Sequence, residues 1–208
     1  MFKRRAIIEH LRQMRGYIAF SVVLFVAGMF VGATNQGFSD FLDSQLQGIG
    51  ELADSIDQSD NPALMMFIVI FINNAVKSIF IIYLGALFGV LPFLFLTVNG
   101  MVIGYLLQNV MNEHGGAYML ELVIKGLLPH GIIEIPAIIV ASAYGLRFGA
   151  LIWKGAGSIL FSRAKLPIVG KDIEFFVRRS IPMVVLLTFS LLVASVIEST
   201  FTVWLLSM

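Results

Sequence analysis

LPHGIIEIPA, residues 128–137, interrupts a strongly apolar chain with two prolines, a glycine, a histidine and a glutamate. Proline lacks the backbone N–H that a helix needs and crowds the preceding turn, and glycine permits turns. Non-helical backbone survives at membrane depth only when it is buried in protein or lines a wet cavity. The stretch therefore predicts a break over 128–135 in a helix that would otherwise run from about 117 to 152. The first part, about 117–128, is too short to cross a bilayer at about 1.5 Å per residue. It reads as a re-entrant or interfacial segment ahead of a full span. Pro136 suits the first turn of that span, where no N–H partner is needed, and Glu134 sits near its N-terminus, where negative charge is favoured.

The rest of the chain explains why lipid is the reference solvent. Of 208 residues, 58% are hydrophobic and 13% charged, against roughly 25% charged in a soluble domain. The mean hydropathy is +0.91. A chain this short cannot bury so much apolar surface in a core, so one all-α integral membrane domain, residues 1–208, is expected. The absence of cysteine excludes disulfides, thiolate ligands and a cysteine nucleophile. A net charge of +1 gives no reason to expect a nucleic-acid partner.

A helix needs about 20 mostly apolar residues to cross the hydrocarbon. Five spans fit, near 17–33, 63–91, 93–111, 132–152 and 180–206, with Pro92 dividing the long tract between the second and third. Lys3, Arg4, Arg5, Arg12 and Arg15 precede the first span, and Lys154, Arg163, Lys165, Lys171, Arg178 and Arg179 lie in a basic loop, 153–179. Residues 34–62 and 112–120 contain no Lys or Arg. The positive-inside rule then places the N-terminus and the basic loop in the cytoplasm and the C-terminus outside. The first span has a basic start, and Val31-Gly32-Ala33 resembles a cleavage site. Its apolar run is at the long end for a signal, so it reads as retained. The expected location is the cell membrane, as a multi-pass protein.

Lipid tails give helices little reason to associate, so small residues must bring them close. Gly28 and Gly32, Gly85 and Gly89, and Gly100 and Gly104 each lie four apart. Ala137, Ala141, Gly145 and Gly149 extend this to a ladder along one helix face. That face should contact another helix, either of this chain or of a second copy in a homo-oligomer.

Ionisable groups at membrane depth cost about 2.5–3.5 kcal/mol each on insertion scales and normally face the bundle interior. Asn73, Asn74, Lys77, Asn99, His130 and Glu134 form the expected intramembrane polar cluster, with Glu121 and Lys125 just before it. Two readings remain open. The cluster could be structural, with Lys77 pairing with Glu134 and the asparagines satisfying broken backbone. Lys77, His130 and Glu134 could instead relay an ion or proton. His130 and Glu134 have the four-residue spacing of metal ligands, but zinc needs three or four. His10 and His114 lie beyond reach at opposite ends, so no metal or other cofactor is expected. There is no HExxH, GxSxG or Walker A motif and no pair of intramembrane aspartates. The chain is not expected to be an enzyme.

Between the first two spans, Phe38, Phe41, Leu42, Leu46, Ile49, Leu52 and Ile56 recur at three- and four-residue steps. That predicts an outer amphipathic helix over 38–60, with Asp40, Asp43, Glu51, Asp54, Asp57 and Asp60 mostly on its other face. It could be a lid on the outer ends of the spans or a docking surface for an extracytoplasmic partner.

LPHGIIEIPAIIVASAYGLRFG, with the Asn73-Asn74 helix and the Leu91-Pro92…Asn99-Gly100…Gly104 segment before it, resembles the stage II sporulation protein M family of polytopic membrane proteins. The likeness covers roughly residues 60–152. It carries over to Asn74, Pro92, Asn99, Gly100, Gly104, Pro129, His130, Gly131, Glu134 and Pro136 as motif positions. The string is most similar to the broad branch of the family, which also occurs in organisms that do not sporulate. The resemblance implies a non-enzymatic scaffold that holds peptidoglycan-degrading partners during cell-envelope remodelling or sporulation engulfment. The buried charges leave a small channel or transporter as the rival expectation.

Overall fold

A computed structural model describes residues 4–208, with side chains from Ile7 onward. Lys3 of the N-terminal basic cluster therefore lies outside the described residues, as do the side chains of Arg4 and Arg5. Every regular element among those described is helical: α1 (Arg4–Gln13), α2 (Arg15–Thr34), α3 (Ser39–Asp57), α4 (Pro62–Leu84), α5 (Val90–His114), α6 (Gly116–Glu121), α7 (Leu128–Phe161), α8 (Leu166–Val196) and α9 (Val203–Leu206). Wide π-helical turns, Leu122–Leu127 and Ile197–Thr202, join α6 to α7 and α8 to α9. Five helical runs are long and apolar enough to cross a membrane: Arg15–Thr34, Pro62–Leu84, Val90–His114, Gly116–Phe161 and Arg163–Leu206.

The expected break at Pro129, Gly131 and Pro136 is corrected by these helices. Residues 128–135 are uninterrupted helix, and residues 116–127 continue into α7 rather than forming a separate re-entrant piece. Pro129 lies in the first turn of α7. The turn ahead of it is widened, so that Leu128 N–H reaches back to the Val123 carbonyl. The irregularity falls just where the ladder loses the Pro129 donor, and such local π adjustments let membrane helices carry proline. Pro136 frees only the carbonyl of Ile132, on a face where Ile132 is 67% exposed. The whole run of 46 residues rises about 69 Å at 1.5 Å per residue. A hydrocarbon core is about 30 Å thick, so much of this helix extends past it.

A second correction concerns Pro92. The reversal between α4 and α5 occurs at Gly85–Gly89, where Phe88 (φ 56°) and Gly89 (φ 78°) adopt left-handed backbone. Pro92 lies in the first turn of α5, where its missing N–H costs nothing. The expected basic loop 153–179 is also mostly helix. Only Ser162 separates α7 from the short turn Arg163–Lys165 that leads into α8.

Two seams of backbone contact hold the bundle. On α2, a Cβ added to Gly28 or Gly32 would strike the carbonyls of Thr97 and Met101, and one on Gly100 or Gly104 of α5 would strike those of Phe25 and Met29. The second seam joins α4 and α7: Gly85 meets Gly145, Gly149 meets Gly89, and Gly145 also meets Ile81 and the Pro92 ring. In both seams the partner numbers rise together, so the paired helices run parallel. Ala137 and Ala141 are buried as well. The Ala137–Gly149 face is thus turned inward; Gly145 meets α4 and Gly149 meets the α4–α5 turn of the same chain.

The α4–α5 turn marks one end of the bundle. There the Trp153 indole N–H donates to the Phe88 carbonyl at 3.2 Å. Arg147 points a guanidinium nitrogen at the Met14 sulfur, 3.0 Å away. Tyr144 and Phe176 are fully buried beside them. This basic end contrasts with the acidic end, where α3 lies. Of α3 only Leu42 and Ile56 are buried, and Tyr105 donates to Asp43 at 2.7 Å.

Candidate functional site

His130 and Glu134, four residues apart, share one face of α7. The π turn after α8 supplies Glu198 and Thr202, and α4 supplies Asn74. Nε2 of His130 lies 3.9 Å from Oε2 of Glu198, with the two side chains 12% and 22% exposed. Nδ1 of the same ring is 3.5 Å from the Thr202 hydroxyl. Ligand-type atoms of His130, Glu134 and Glu198 all lie within 4.8 Å of one another. Asn74 turns its side chain to Glu134, and Asn73 donates to Asn74 at 3.4 Å.

Two carboxylates so close in a poorly solvated interior repel strongly. The arrangement is stable only if a cation or a shared proton offsets that charge. Lys77 does not take this role: it is exposed on α4, and among the described residues no carboxylate pairs with it. Asn74, not Lys77, is the α4 residue that faces Glu134. Asn99 bonds to the Phe95 carbonyl of its own helix at 2.7 Å, outside the cluster. Lys125 pairs with Glu121 at 2.8 Å, one turn apart near the start of the long helix.

Glu198 is the member that the sequence reading missed. Its neighbours read as the end of an apolar span, and its partners are far away in the chain. A lone carboxylate inside a span is itself a signal, because such groups are rare and seek partners. Arg147 was passed over in the same way. At the basic end it faces α1, where His10 is buried with its ring edge-on to Tyr144 at 5.5 Å. Burial lowers the pKa of His10, and the Arg147 charge adds to the effect.

The family model described as stage II sporulation protein M matches residues 18–203. An uncharacterized protein of Methanocaldococcus jannaschii is 26% identical over 65% of this chain and 73% of its own length. Another uncharacterized protein of that organism is 27% identical over 67% of this chain, a match spanning 56% of its own length. No solved structure matches the chain.

Proposed function

The chain belongs to the stage II sporulation protein M family, and we propose that within it the protein is a non-enzymatic membrane scaffold. It holds envelope partners, of which peptidoglycan-degrading proteins are the expected class, at the acidic end of the bundle. In this reading the basic end is cytoplasmic, following the positive-inside rule, and α3 faces outward.

The observation that carries the proposal is the half-packed state of α3. Phe41, Ile49 and Leu52 remain 43–56% exposed on a helix that also bears acidic side chains, and Phe38, just ahead of it, is 45% exposed. A lid packed on the bundle would bury that stripe, whereas a docking helix leaves it available. The two glycine seams suit a rigid frame for such a helix. The test is a pull-down from native membranes with wild type, Ile49→Asp and Leu52→Asp. Wall-degrading proteins should come down with wild type and be lost with the two variants. Equal recovery from all three would sink the scaffold reading.

One observation favours a second reading, a small transporter: the His130–Glu134–Glu198 cluster sits where buried charges often handle ions. It requires ion flux into liposomes that Glu134→Gln abolishes. Intact liposomes with no flux would remove it.

A further inference from the structure

We propose that His130, Glu134 and Glu198 bind a divalent transition-metal ion, best matched by zinc(II), which ties α7 to the end of α8 inside the membrane. Such a metal tie stands apart from the scaffold reading, since a scaffold can be built with or without it.

The donor set is one imidazole nitrogen and two carboxylates, three ligands from two helices. Their ligand atoms already lie within 4.8 Å of one another. In a tetrahedral zinc site, bond lengths of about 2.0–2.2 Å put ligand atoms roughly 3.4 Å apart. Small side-chain rotations close that difference. A divalent ion also cancels the two carboxylate charges that the apolar surroundings otherwise leave in conflict. Three protein ligands with a fourth position free for water is a familiar zinc arrangement.

The surrounding residues are of the kind that orient metal ligands. The Thr202 hydroxyl lies 3.5 Å from His130 Nδ1, the nitrogen left over when Nε2 faces Glu198. Asn74 faces the Glu134 carboxyl. Such outer partners fix ring orientation and carboxylate direction. An imidazole ligand with so few oxygens argues against magnesium and calcium, which take six or more oxygen ligands.

The test uses the full chain in detergent, stripped with a chelator and titrated with zinc(II). Metal content is read by mass spectrometry and binding by calorimetry. About one zinc per chain should bind, and the thermal midpoint should rise saturably as expected for a ligand of the native state. Glu198→Gln and His130→Asn should abolish both effects. Asn74→Ala, which removes only an outer partner, should weaken binding about 10–100-fold. Magnesium at the same concentration should give no shift, and His114→Ala, at the exposed Glu113–His114 pair, should bind like wild type. The proposal is overturned if wild type takes up no stoichiometric zinc, which needs no variant to fold. It is equally overturned if the cluster variants bind undiminished, or if His114→Ala removes the binding.

Discussion

Gly145 lies where α7 meets both α4 and α5, and replacing it with alanine tests the packing most directly. An added Cβ would sit 2.5 Å from the Ile81 carbonyl oxygen and 2.5 Å from Cγ of Pro92. Favourable carbon contacts begin near 3.5 Å, so both neighbours must retreat by about 1 Å. Neither can swing aside, since one is backbone and the other a proline ring in the first turn of its helix. Overpacking of this kind costs about 1–3 kcal/mol, and removing glycine from a helix interior returns about 0.5–1 kcal/mol. The midpoints of these ranges leave a net loss of about 1 kcal/mol, and their extremes run from about zero to about 2.5 kcal/mol. In a domain of this size the midpoint lowers the melting temperature by about 2–4 °C. Gly157→Ala is the control on the same helix, because nothing lies within 4 Å of its Cβ position. Thermal unfolding of the detergent-solubilised proteins should show Gly145→Ala well below wild type and Gly157→Ala at or above it. Equal midpoints for the two variants would refute the seam as a source of stability.

Because the pKa of His10 is held below its ordinary value of 6.5, the unfolded chain takes up that proton first as the pH falls. The His10 contribution to stability should be flat above about pH 6.5 and decline below it; His10→Phe should raise the melting temperature at about pH 5 relative to that at about pH 8, compared with wild type, and an unchanged difference between the two would clear His10 of the effect. Gly89→Ala forces a side chain into left-handed backbone at φ 78° and should cost about 1–2 kcal/mol, read as a lower midpoint in chemical unfolding. The cysteine-free chain also allows single-cysteine mapping: on intact cells an impermeant maleimide should label Ser59→Cys beside α3 and spare Ser162→Cys between α7 and α8. The opposite pattern would invert the proposed orientation.

The sequence made the spans legible because hydropathy and length are summed over twenty residues and tolerate local error. The glycine ladders were legible for a related reason, since four-residue spacing fixes a face whatever the partner is. Prolines misled because their rule describes a single missing hydrogen bond. A helix can absorb that loss with one widened turn, as at Leu122–Leu127, or leave one exposed carbonyl free, as at Ile132. The reversal at Gly85–Gly89 needed left-handed backbone, which glycine and not proline supplies. Within the site, His130 and Glu134 were visible from their spacing on one helix. Glu198 and the part played by Asn74 depended on how α4 and α8 cross α7, which no local pattern encodes. Lys77 shows the converse: sharing a helix with Asn74 does not turn its side chain to the same neighbour.

The two glycine seams also govern how this protein can move. In each seam a bare backbone fits against a carbonyl of the facing helix. Sliding one helix by a single residue, about 1.5 Å, would drive a Cβ into that slot. The next register that brings a small residue back to the same face is four residues away, about 6 Å along the axis. The α2–α5 and α4–α7 pairs are therefore indexed like racks with coarse teeth. Each parallel pair moves as one strut, and adjustment is left to segments outside the seams: the widened turn ahead of His130 and the widened turn that contains Glu198.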